Sequence, residues 1–212
     1  MASRDLRTSH PMRAFSPRHL SNIAWSYAVV NVHAPRLFNG TFTATLLEKR
    51  ASFLPEDLAK LYQWHLWQKV RSFVVPMLCL SLLPPTTILL SSLPQYEKSQ
   101  VLAKQCLPQV FARQCYSAFR SQTQKQRWHA IQRDVVSTLH TLGLNPKAEV
   151  CTQHGYRLDA IVEVKGKSEK ESVGVIVDVR RNMMARDEMM GKQPNGKTLL
   201  KRRQISSVEW IR

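Results

Sequence analysis

The chain has 212 residues, 43% hydrophobic and 22% charged, with 31 Lys and Arg against 15 Asp and Glu and a net charge of +16. That length and apolar fraction suit one or two packed domains and exclude wholesale disorder, a collagen-like repeat and a disulfide miniprotein. The basic excess is spread along the whole chain, which favours a polyanionic partner, either nucleic acid or an anionic membrane surface.

Residues 1–12, with Arg and Ser and only Asp5 acidic, read as a disordered tail faintly like an organellar transit peptide. From 13 to 122 the pattern is helical. Phe15-x-Pro17-x-x-Leu20 recurs as Phe53-x-Pro55-x-x-Leu58, with Ile23 and Leu61 following, at an offset of 38 residues. That period is the length of a two-helix solenoid unit, whose hairpins bury their apolar faces on one another. It predicts two helical hairpins over 15–70 with Leu20, Ile23, Leu58 and Leu61 buried. Ser16 can cap the first helix and Pro17 fits its first position, while Pro55 opens the second with Glu56 and Asp57 against the helix dipole.

No charged residue stands between Arg71 and Glu97. The run is long enough for a membrane span, but Pro76 and the pair Pro84-Pro85 would break a single helix, so two buried apolar segments are expected. Residues 99–122 then read as a helix interrupted at Pro108. Residues 123–142 read as another, with Trp128, Ile131, Val135, Leu139 and Leu142 on one stripe and Gly143 and Pro146 as its stop.

Beyond Pro146 the period shortens to two. The β-branched runs 156–164 and 173–179 flank a charged turn and predict a hairpin, after which Thr198 is positioned to cap a short basic helix. Cys79, Cys106, Cys115 and Cys151 form no C-x-x-C pair and read as reduced, without a zinc or disulfide staple. His19, His65, His129 and His140 show no ligand spacing. Trp25, Trp64, Trp67 and Trp128 could stack bases, although helical spacing places Trp25 and Trp128 in a core.

The order LGL (142–144), GYRLDAIV (155–162), VGVIVDV (173–179) and NGKTLLKRRQISSVEW (195–210) resembles the RAP domain, the RNA-binding module abundant in Apicomplexans. Asp159, Asp178, Gly196, Thr198, Lys201, Arg202, Arg203 and Trp210 occupy its pattern, with Glu209 in place of the family's Gly. The F-x-P-x-x-L units resemble the octotricopeptide and heptatricopeptide repeats that often precede such domains. The resemblance implies an α + α/β chain: an N-terminal α-helical repeat region (13–122), then a small restriction-endonuclease-like α/β module (123–212), truncated at its C-terminus.

It further implies a single-stranded RNA-binding protein of a mitochondrion or chloroplast, acting in transcript processing, stability or translation, with no small-molecule substrate and no cofactor. Lys197, Lys201, Arg202 and Arg203, with Arg180 and Arg181, are the expected phosphate contacts, since the guanidinium fork binds two oxygens at once. One alternative is a metal-dependent RNA endonuclease in which Asp159 and Asp178, with Glu163 as a possible third ligand, hold Mg²⁺. Against it, Ile176 and Asn182 stand where the family has Glu and His. Strand alternation would set Ile176 on the same face as Asp178. A second alternative is a membrane-associated protein anchored by residues 72–96.

Overall fold

A computed structural model describes residues 12–81, 106–125, 129–165, 170–178, 183–184 and 193–208. The fold is mixed α+β in two compact units, Met1–Cys115 and Tyr116–Arg212. The division falls inside a helix, ahead of the boundary at 122 and 123 that the sequence suggested.

In the first unit, α1 (Pro17–Val30) starts as its sequence dictates. Ser16 is the N-cap, its side chain accepting from the His19 amide at 3.2 Å, and Pro17 follows at the first position. The helix ends at Asn31, whose left-handed φ of 60° closes the last turn through its own amide on the Tyr27 carbonyl. Helix α2 (Gly40–Glu48) returns from a cap at Asn39, whose Oδ1 accepts from the Phe42 amide at 3.1 Å. Helix α3 (Pro55–Ser81) then runs on for 27 residues.

Helices α1 and α3 are parallel. Ser21 meets Asp57, Asn22 meets Lys60, Trp25 meets Gln63 and Asn31 meets Trp67, so the pairing advances in the same direction along both helices. Leu20, Leu58 and Leu61 are buried as expected, whereas Ile23 is half-buried. Phe53 is buried with its ring 6.1 Å from Phe111, while Phe15 is half-buried against His19 at 6.5 Å.

The expected second hairpin does not form within 15–70, because α3 continues where the first copy turns. Asn31, Pro35 and Asn39 break the chain after α1; 38 residues on stand Lys69, Phe73 and Met77, and α3 also runs past Pro76, so the break expected at that proline does not occur. The core of this unit is aromatic. Phe38 lies 5.2 Å from Tyr27 and from Trp64 and 5.1 Å from Phe42. Trp64 and Trp67 are buried, which removes both from base stacking and makes them packing residues.

Helix α4 (Gln109–Gln124) begins after Pro108, as the break at that proline implied, with Phe111, Cys115 and Phe119 buried at every fourth position. Its second half opens the second unit and takes up Thr123, which the sequence had assigned to the next helix. Helix α5 (Ala130–Thr141) is rotated from the expected stripe: Val136 is buried, while Ile131 and Leu142 are 50% and 67% exposed. Gln132 faces inward with Val136, one residue from the expected Ile131 and Val135, a turn of about 100° about the axis.

Strands β1 (Lys147–Ala148), β2 (Ala160–Lys165) and β3 (Lys170–Val175) form an antiparallel sheet in that order. Pairing of Lys165 with Lys170 starts β3 earlier than the β-branched run suggested, and it ends at Val175 rather than Val179. A second ribbon pairs β4 (Met183–Met184) with β5 (Gln193–Pro194), and α6 (Gly196–Val208) follows. Tyr156, Leu158, Ala160 and Val162 alternate into the core with Leu200 and Ile205 of α6. Asn195, not Thr198, caps α6: its Oδ1 accepts from the Thr198 amide at 2.9 Å, and Thr198 lies buried inside the first turn.

Candidate nucleic-acid interface

Asp159 immediately precedes β2 and is only 6% exposed. Its Oδ1 accepts from Gln132 Nε2 at 2.5 Å and its Oδ2 from the Val177 amide at 2.7 Å. Gln132 in turn accepts the His129 amide through Oε1 at 2.7 Å, closing the N-terminus of α5. One carboxylate therefore joins β2, the chain leaving β3 and the first turn of α5.

Asp178 is the second carboxylate, with 6% of its side chain exposed, and it forms an ion pair with Arg202 of α6, whose side chain is 46% exposed. Lys201, half-buried on α6, feels both carboxylates. Burial lowers its pKa, while Asp159 and Asp178 push it back up, and Lys197 and Arg157 add to the lowering.

The four cations of α6 therefore separate. Lys197 is exposed, Arg203 and Lys201 are half-buried, and Arg202 is at the surface but held by Asp178. Arg180, Arg181, Asn182, Trp128, Trp210 and residues 82–96 lie outside the described residues. Ile176 and Asp178 lie beyond the end of β3, so strand alternation does not set their directions.

Glu163 does not join the aspartates. It is exposed and bound to Lys147 Nζ at 2.9 Å on the neighbouring strand. Among the described residues no group of three or more His, Cys, Asp or Glu comes together that could hold a metal ion. Nor, among them, is any helix long and apolar enough to cross a membrane.

The basic character of the surface follows from how the acids are engaged. Among the described residues Glu48 pairs with Arg13, Asp57 with Ser21 and Lys60, Glu149 with Arg157, Glu163 with Lys147 and Asp178 with Arg202, and Asp159 is buried, whereas Glu56 and Asp134 are exposed. Arg18, Arg36, Arg50, Lys69, Arg113, Arg120, Lys125 and Arg133 are meanwhile exposed. Sequence reasoning located the α6 cations but not their internal partners. The signal for Gln132 as a partner of Asp159 was absent, since nothing in a helix marks which polar residue will face a strand. Compared with known proteins, the chain matches no family profile, no curated protein and no solved structure.

Proposed function

We propose that the chain binds single-stranded RNA through its cationic surface, as an organellar protein acting in transcript processing, stability or translation. One observation carries this reading: among the described residues most acids are held in ion pairs or buried, while Arg and Lys side chains of both units are exposed on a chain of net charge +16. Such a surface attracts a phosphate backbone and releases its counterions. The packing of α1 beside α3 at the repeat offset supports a helical repeat region in the first unit. The second unit is read, from its sequence pattern, as a RAP-like module of restriction-endonuclease-like fold. Exposed Lys197 and half-buried Arg203 are its phosphate contacts.

The test is binding of labelled single-stranded RNA by the purified chain across a salt series, with organelle fractionation of cells expressing it. Affinity is expected to fall on a log-log plot with a slope of about −0.7 per phosphate contact. Replacing Lys197 and Arg203 with Ala should flatten that slope. Absence of binding at low salt, or binding indifferent to salt, overturns the reading.

A further inference from the structure

The pair formed by Arg202 and Asp178 is unequal. Nearly half of the arginine side chain meets solvent, while the carboxylate is buried. Partly exposed ion pairs are weak and readily exchanged. Stripping the cation from a buried carboxylate is costly when no other charge compensates it. Here another does, since the ammonium of Lys201, a half-buried residue next to Arg202 on α6, also interacts electrostatically with Asp178. Arg202, the more exposed of the two cations, is therefore the replaceable member.

We propose that Asp178 masks an anion site: in the free protein its carboxylate occupies the Arg202 guanidinium, and a phosphodiester backbone displaces it, making Arg202 a phosphate contact only on binding. The carboxylate and a phosphate compete for the same planar donor fork, which suits both. Asp178 then sets a threshold: isolated anions fail to unmask Arg202, while a polyanion already held by Lys197 presents its next phosphate at high local concentration. The inference rests on the RNA-binding reading for the identity of the polyanion, not for the exchange itself.

The test compares the unaltered chain, Asp178→Asn, Arg202→Ala and the double variant against single-stranded RNA and against inorganic polyphosphate. Asp134→Asn, at an exposed site on α5, controls for the same change in net charge. Asp178→Asn should bind about three- to tenfold tighter than Asp134→Asn, with a salt slope steeper by about 0.7. Arg202→Ala should weaken binding more in the Asp178→Asn background than alone. Equal losses in both backgrounds, or no gain over Asp134→Asn, overturn the mask.

In the unaltered chain, the Arg202 side-chain Nε–H resonance should shift as polyphosphate is added. This readout does not depend on the variants folding, and an unmoved resonance under saturating polyphosphate overturns the proposal. Coupled gains on polyphosphate without RNA binding keep the mask and overturn the RNA reading. RNA binding without coupling does the reverse.

Discussion

Trp25 donates its indole N–H to Gln63 Oε1 at 2.8 Å, across 38 residues of sequence. The same separation joins Lys60 Nζ to Asn22 Oδ1 at 2.8 Å. Residues at equivalent places in the two copies of the motif thus face one another, so the spacing of the repeat is also the register in which α1 packs on α3. Parallel helices that start at equivalent prolines place their equivalent turns side by side, one rise of 1.5 Å per residue keeping both in step.

The core at this interface is tested by Leu20→Ala. Leu20 is fully buried, and its truncation should cost about 2–5 kcal/mol, the range for a leucine whose site cannot collapse. Urea unfolding gives the value. Leu54→Ala, at a position 58% exposed, should change stability by less than about 0.5 kcal/mol.

His65 makes the first unit sensitive to acid. It is 3% exposed and its Nδ1 accepts the Leu107 amide at 3.2 Å, which requires the neutral ring. Burial first, and then the Lys69 charge, lower its pKa from 6.5 to about 4. Between these values the unfolded chain binds the proton that the folded one refuses. Stability is therefore fully present above 6.5 and declines as pH falls toward 4, by about 3 kcal/mol in total. Chemical unfolding at several pH values measures the decline, and His65→Gln should lessen it.

Gly155 closes the turn between Thr152 and Tyr156 with φ of +82°, its amide on the Thr152 carbonyl at 2.9 Å. A Cβ there would lie 3.1 Å from Tyr116 Cε2 and 3.3 Å from Phe119 Cδ1. Gly155→Ala combines a left-handed backbone with crowded rings and should destabilise by about 1–3 kcal/mol. Gly143, at φ +74°, has open space around its Cβ direction, so Gly143→Ala should cost less. Thermal melts of the two variants compare them.

The cysteines should separate under alkylation. Cys115 is fully buried and burial pushes its thiol up to about 12, while Cys151 is exposed. Iodoacetamide at neutral pH should label Cys151 in the native protein and reach Cys115 only after denaturation. Peptide mass mapping of the native and denatured samples reads the order.

What the sequence determined by itself is local or periodic. Ser16 and Pro17 start α1 because a cap and a fixed φ act within one turn, and Pro108 separates α4 from what precedes it for the same reason. Alternation likewise placed Leu158, Ala160 and Val162 on one buried face. The motif spacing held the register of α1 on α3, though not the length of α3, which continues past Pro76 where the first copy has already turned.

Tertiary structure decided which polar groups meet. Lys201, Arg202 and Arg203 are consecutive cations in the sequence, but a helix turns about 100° per residue, so they point in different directions. Two of them reach Asp159 and Asp178, which arrive from β2 and from beyond β3 at long sequence separation. Asp159, just before β2, is buried where Gln132 of α5 and the Val177 amide both donate to its carboxylate. The rotation of α5 that brings Gln132 there also leaves Ile131 and Leu142 at the surface. One hydrogen bond to a buried carboxylate and the packing of Val136 set the face of that helix, and neither is written in its periodicity.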